Sequence, residues 1–406
     1  MKLVVLCPHF APDVAPTGEV ITRIVEGLVD RGHHVHVVTS FPWYREHRIE
    51  PGYEGKLVDH EDTDWGRITR VHPFPTSDKN NLVGRALAYL GFSVLSGIVA
   101  LRGGRVDGVL AMSPPLTLGL TGWLVARFRR ARYVFNIQDV YPDVAVELGV
   151  LGSKRLIRLA AWLERFCYDR ADAVTVLSDD LRDNVAGKTT RPAKVRVIPN
   201  FVDTEWIQPA PRENEYRHEL GIDEKFVVMY AGNVGYSQSL DLVVESAAAL
   251  SSDPDIAFVI NGGGAARPAL EQQAAGLTNV HFVDMQPKER LPEVLAAADV
   301  HLVPLKRGLA RSSVPSKTYS ILAAGRPLIA SVDPGTEVAR LVADTGAGVA
   351  VPPEDGEALT KAVAALAASP EEAVRMGDAG RQFVEGWASP AAVAEAYERL
   401  FEELRR

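Results

Sequence analysis

Between the runs Val300–Pro304 and Leu328–Ala330 the chain reads SSVPSKTYSILAAGRP, Ser312 to Pro327. A strand, a turn, a helix-forming run and a second strand make up the repeating unit of a parallel α/β sheet. Pro315 suits the first turn of a helix, and Gly325-Arg326-Pro327 is a stop signal. Lys317 and the backbone amides of Ser313 to Ser316 are therefore expected at a helix N-terminus. The unpaired N–H groups and dipole of such an end suit a phosphate. Arg311 adds a second cation, which points to a diphosphate. A surface turn leading into a core helix is the plainer reading of this segment taken alone.

The same alternation extends outward in both directions. In the first half, strands are expected at Lys2–Cys7, His34–Thr39, Gly108–Met112, Tyr133–Ile137, Ala173–Leu177 and Lys194–Ile198. Gly18–Arg31 carries Ile21, Ile24, Val25 and Leu28 on one helical face, with Gly32 as its stop. The second half repeats the plan at Val227–Ala231, Ala257–Asn261, Val280–Val283, Val300–Pro304, Leu328–Ala330 and Gly348–Val351. Two doubly wound α/β domains follow: residues 1–200, residues 201–390, and a final helix at 391–406 that needs an apolar partner, with the first domain as one choice. Ligands of such sheets bind at the carboxyl ends of the strands, so the expected site is the cleft between facing domains.

Composition narrows the class. With 406 residues, 47% hydrophobic and 24% charged, the chain is an ordinary globular protein. Two cysteines, Cys7 and Cys167, exclude a disulfide scaffold and suit a reducing cytoplasm. The apolar N-terminal strand closes at Pro8, too short for an export signal. Ala86–Leu101 is uncharged but shorter than a membrane span, and reads as buried helix or strand, or as a surface that touches lipid. The net charge of -8 divides unevenly. Residues 1–200 hold 26 basic and 22 acidic side chains, residues 201–406 hold 18 and 30. Arg127, Arg129, Arg130 and Arg132 cluster beside the apolar Leu116–Ala126 run, a pattern shared by anionic-membrane surfaces and by solvated helix ends.

Three turns of the second half are rich in small and polar residues. Gly232-Asn233-Val234-Gly235 runs on to Gln238, Gly262-Gly263-Gly264 follows the next strand, and the third is Arg311–Lys317. Glycines let a backbone approach a phosphate, and Asn and Gln donate hydrogen bonds. In the first half Gly18 opens a helix, and Gln138-Asp139-Val140-Tyr141-Pro142 closes a buried strand. Asp139 there is either a contact for a hydroxyl substrate or the N-cap of the next helix. Neither a dinucleotide fingerprint nor a P-loop occurs in a suitable context, and no His/Cys/carboxylate cluster has metal spacing. Asp62-Thr63-Asp64 reads as a solvated charged loop.

Arg31-Gly32-His33, Val197-Ile198-Pro199-Asn200 with Asp203, Ala297-Ala298-Asp299-Val300, the Arg311–Pro327 block, Val351-Pro352-Pro353 with Asp355, and Met376-Gly377 with Arg381 together resemble a retaining glycosyltransferase of family 4, with the GT-B fold. Asn233, Gly235, Gln238 and Pro315-Ser316-Lys317 are similar to a branch that builds bacterial surface polysaccharides and includes N-acetyl-fucosamine transferases. The resemblance implies a UDP-linked donor, retention of configuration, no metal or cofactor, and no nucleic acid. The basic excess of residues 1–200, the Arg127–Arg132 cluster and the uncharged Ala86–Leu101 segment point to a lipid-linked acceptor and a place at the cytoplasmic face of an anionic membrane, with core segments and a soluble acceptor as the plainer alternative. The family's Glu-x7-Glu pair falls on Ser312 and Ser320, its usual Arg and Lys on Asn233 and Gln238, and its usual His on Gln138. Asp139, Arg311 and Lys317 are then the catalytic candidates. Gly18, Asn233, Gly235, Gln238, Gly263, Ser312, Ser313, Ser316 and Ser320 join the two cations around the donor. Gln138, Asp139 and Tyr141 face the acceptor. A nucleotide-sugar epimerase, or a binding subunit without turnover, stand as alternatives.

Overall fold

The Val- and Leu-rich runs that lead the fold are buried on both faces, as the strands of a parallel sheet must be. The computed structural model describes every residue except 14, 45–47, 76–81, 144–152, 236–237 and 309–316. The chain divides into two units, Met1–Asn200 together with Val393–Arg406, and Phe201–Ala392.

The first unit holds Lys2–Leu6 (β1), His34–Ser40 (β2), Val58–Thr63 (β3), Gly66–Val71 (β4), Gly108–Ser113 (β5), Arg132–Ile137 (β6), Ala173–Val176 (β7) and Val195–Val197 (β8). They form one sheet in the order β3-β4-β2-β1-β5-β6-β7-β8, parallel except for the β3–β4 pair. The second unit holds Phe226–Ala231 (β9), Ile256–Asn261 (β10), Val280–Val283 (β11), Val300–Pro304 (β12), Leu328–Ser331 (β13) and Gly348–Val351 (β14). Their order is β11-β10-β9-β12-β13-β14, all parallel. Every strand expected from the sequence is present, displaced by no more than one residue at either end.

The β3–β4 hairpin corrects the reading of residues 62–64. Asp62 and Thr63 end β3 instead of lying in a loop, and Asp62 Oδ1 accepts from Arg67 Nε at 2.6 Å. With Glu61 and Asp62 exposed, β3 is a charged edge strand, which discourages pairing with another chain.

The sheet cores carry most of the stabilisation. Val4, Leu6, Val109, Ala111, Phe135 and Val174 are fully buried in the first unit, and Val228, Tyr230, Phe258, Ile260, Val300 and Ile329 in the second. Each buried large aliphatic or aromatic side chain is worth about 1.5–3 kcal/mol.

The last helix, Pro390–Arg405, buries Val393, Tyr397, Leu400 and Phe401 within the first unit. Asn136 Nδ2 donates to the Tyr397 hydroxyl at 2.8 Å, and Arg31 Nε to Glu398 Oε2 at 2.5 Å. The basic cluster after the Thr117–Arg129 helix is less free than its sequence suggests. Arg129 donates to the carbonyls of Ala100 at 3.0 Å and of Gly104, and Arg132 lies 3.8 Å from Asp172.

Candidate functional site

In the second sheet the strand order reverses between β9 and β12, and the crevice at their carboxyl ends is where such sheets bind ligands. The loop after β9 begins with Gly232, whose φ is 142°. It lies against Gly262, whose φ is 148° and where an added Cβ would sit 1.9 Å from the Gly232 oxygen. Only glycine tolerates that backbone shape and contact together. The loop therefore exposes main chain, which suits a phosphate. Gln238 Oε1 accepts from the Gly235 amide at 3.2 Å, so this side chain braces the loop. The Gly263 oxygen accepts from Val234 at 2.9 Å, and open space lies where a Gly263 side chain would be.

Lys317 opens the Lys317–Ala323 helix and reaches back over this loop. Its Nζ lies 3.8 Å from the Tyr230 ring centre, and a Cβ on Gly232 would come within 2.9 Å of it. The ammonium is desolvated by burial, which pulls its pKa down to about 8. Desolvation is the one cause of that shift, and no carboxylate among the described residues offsets it. The Tyr230 ring face supplies a weak counter-charge, and the Tyr230 hydroxyl donates to the Asn233 oxygen at 2.6 Å, tying the cation's seat to the glycine loop. Beneath it, His301 is fully buried and held neutral, its pKa lowered to about 4 chiefly by desolvation. Its Nε2 faces the Leu295 oxygen at 2.9 Å. Ser320 is half-buried on the Lys317–Ala323 helix. Arg311, Ser312, Ser313 and Ser316 lie outside the described residues. Tyr230 is the residue that reading the sequence left out. A tyrosine ending a core strand gives no signal that its ring carries a cation.

The first sheet reverses between β1 and β5. Beside that point an added Cβ on Gly18 would meet the His9 Cβ at 2.9 Å, so the helix start and the loop after β1 touch. His9 Nδ1 lies 2.7 Å from Asp13 Oδ2, and its ring is stacked on Trp43 with centroids 5.6 Å apart. A buried carboxylate orienting an imidazole can hold a proton acceptor or donor in place. This pair was not legible, because Trp43 joins it from another loop. Gln138 is buried, with Nε2 donating to Asn136 Oδ1 at 2.8 Å and Oε1 accepting from Asn200 Nδ2 at 2.9 Å. Its amide thus braces the end of β6. Asp139 next to it is exposed, while surrounding protein desolvates its carboxyl enough to raise the pKa. Tyr141 is half-buried two residues on. Among the described residues no group of three or more His, Cys, Asp or Glu could hold a metal ion.

Residues 17–200 match the family model described as a glycosyl transferase 4-like domain, and residues 212–383 that of glycosyl transferases group 1. WcaI of Escherichia coli, named for colanic acid biosynthesis as a glycosyl transferase, is 30% identical over 377 residues, spanning 89% of this chain and 91% of that protein. The chain belongs to the family 4 glycosyltransferases. WbjE of Pseudomonas aeruginosa, also named as a glycosyltransferase, is 32% identical to this transferase over 300 residues, 71% of this chain and 74% of its own. In fold, this family 4 chain is similar to sucrose-phosphate synthase from Thermosynechococcus elongatus, with a TM-score of 0.71 and 19% identity over 100% of this chain and 99% of that one. It has the GT-B fold.

Proposed function

We propose that this glycosyltransferase moves a sugar from a nucleotide diphosphate sugar, UDP-linked, to a lipid-linked saccharide during assembly of a bacterial surface polysaccharide. The anomeric configuration is kept, and no metal takes part. The observation that carries this is Lys317, a half-buried, desolvated cation without a carboxylate partner among the described residues, poised over a glycine loop at a switch point. Burying an ammionium without an anion is costly, so the seat gains most from a ligand that brings the negative charge. A diphosphate fits that description. The polysaccharide role is supported by WcaI, whose name assigns it to colanic acid.

In the reaction the bond between the anomeric carbon and the diphosphate oxygen breaks, and the acceptor oxygen bonds to the anomeric carbon on the same face. Charge develops on the departing diphosphate. Lys317 stabilises it beside the Gly232–Gly235 loop, whose glycines let the diphosphate come close, in surroundings where a preorganised charge counts for more than in water. The acceptor's candidates are Asp139, with Gln138 fixing the loop it stands on, and His9 oriented by Asp13. His9 is our addition to the residues suggested by sequence.

The test is a screen of UDP-, GDP- and dTDP-sugars with the purified protein and a lipid extract from a polysaccharide-producing bacterium, reading released nucleotide. Release of UDP that depends on the extract supports the proposal. Isomerised donor without released nucleotide would show an epimerase, and binding without turnover a non-catalytic subunit.

A further inference from the structure

Helices Leu82–Ala100, Thr117–Arg129 and Lys154–Arg170 of the first unit lie side by side. Ser93 and Thr117 hydroxyls are 2.7 Å apart across the first contact, and Trp123 meets Phe166 edge-on at 5.3 Å across the second. A surface helix normally turns polar residues outward. These do not. On the first helix Phe92, Ser93, Ser96 and Val99 face inward, and the residues left outside are Leu87, Leu90, Val94 and Ile98, at helical spacing. The second helix exposes Leu124 and Phe128, the latter 70% accessible. On the third, Leu156, Leu159 and Trp162 stand out, with Trp162 60% accessible.

The charges around these residues have one sign. Arg127, Arg130, Lys154, Arg155, Arg158 and Arg165 are exposed on or just after the second and third helices. No exposed residue described on the three helices is acidic: Glu164 is buried against Lys188 at 2.9 Å, and Asp169 accepts from Thr189 and Thr190. Beside this face, a hollow of about 540 Å³ is lined by Lys2, Arg105, Arg130, Arg132 and Arg405, with Asp107 as its acid. No helix among the described residues is long and apolar enough to cross a membrane.

We infer that this three-helix face of the first unit docks on an anionic lipid bilayer, its apolar side chains entering the headgroup boundary and its arginines pairing with lipid phosphates. Exposed leucines with a tryptophan and a phenylalanine, on helices whose described exposed charges are all cations, match the chemistry of an interfacial surface. A protein partner complementary to the apolar area would not require that every fringe charge be positive. An anionic bilayer does, because each cation near it adds attraction that salt screens. The inference deepens the lipid-linked acceptor of the proposed function, but its physical basis is separate from the donor site.

The experiment is co-sedimentation of the whole protein with vesicles of phosphatidylcholine, or of equal parts phosphatidylcholine and phosphatidylglycerol. Low and high salt are compared. Three proteins are used: wild type, Leu90→Ser/Ile98→Ser, and Arg155→Gln/Arg165→Gln. Wild type should pellet with anionic vesicles at low salt and weakly with neutral ones. Both variants should bind anionic vesicles roughly tenfold less tightly, with UDP affinity unchanged as the control for folding. The arginine variant keeps the apolar face intact, so it tests the inference even if the first variant folds poorly. Failure of wild type to pellet, equal pelleting of the arginine variant, or a stable dimer that Leu90→Ser/Ile98→Ser abolishes would overturn the inference. Vesicle binding without sugar transfer to any lipid would support this face while removing the proposed acceptor.

Discussion

Lys317 holds its ammonium 3.8 Å from the centre of the Tyr230 ring, at the point where the second sheet reverses its strand order. Nearly everything proposed for the donor follows from that pair. The ring tolerates the cation without neutralising it, and the Tyr230 hydroxyl fixes the neighbouring loop through the Asn233 oxygen. A diphosphate arriving over Gly232 would be the first full negative charge the ammonium meets among the described residues.

Lys317→Ala should therefore weaken UDP binding by about 1.5–3 kcal/mol, the scale of a hydrogen bond to a charged group. Calorimetry with UDP measures it. An unchanged dissociation constant would detach Lys317 from the diphosphate.

The same ammonium sets a pH dependence. Burial lowers its pKa to about 8 in the free protein, and a bound diphosphate favours the charged form and raises it. Affinity for UDP should be flat below pH 8 and fall above it, approaching tenfold per pH unit. Folding stability moves the other way. The unfolded chain binds this proton more tightly, so between about 8 and the ordinary value of 10.5 the contribution of Lys317 to stability rises with pH. Titration of UDP affinity from pH 7 to 9 checks the first statement, and Lys317→Ala should flatten the profile.

Gly262→Ala tests the loop's backbone. With φ at 148° and the Gly232 oxygen 1.9 Å from the added methyl, the two loops must separate. A loss of about 2 kcal/mol or more in unfolding free energy is expected, readable by urea denaturation, together with weaker UDP binding. A variant as stable as wild type would show that the close contact between the loops is not required.

Much of this architecture was legible because it rests on burial. Runs such as Val-Val-Leu at β1 and Phe-Val-Ile at β10 are apolar on both faces, and a parallel sheet is the arrangement that covers both. The β3–β4 hairpin escaped because its first strand, Val-Asp-His-Glu-Asp-Thr, is an edge whose side chains face water and carry charge, so it shows no apolar alternation. Within the site, glycines and Lys317 could be read as a phosphate cradle from residue type alone. The Tyr230 seat and the His9–Asp13 pair with Trp43 could not, since each joins segments whose proximity is created by folding. Gln138 reads from its position as an acceptor contact, yet the structure has both ends of its amide bonded to Asn136 and Asn200.

Ser320, half-buried on the Lys317–Ala323 helix, is proposed to face the nucleotide ribose where the family usually has a glutamate. Ser320→Glu should then keep nucleotide binding, and Ser320→Phe should abolish it by filling the ribose's place. Equal UDP affinity in the phenylalanine variant would place the ribose elsewhere.

The central claim is transfer of a sugar away from a diphosphate that Lys317 holds, and proton NMR of the reaction in excess EDTA tests it most directly. With the donor found in the screen and a lipid-linked acceptor, wild type should release one nucleoside diphosphate for each new glycosidic anomeric signal. That signal should have the donor's own configuration, and Lys317→Ala should slow its appearance. An inverted anomeric signal, an isomerised donor with no nucleotide released, or turnover lost in EDTA and restored by magnesium or manganese would contradict the account.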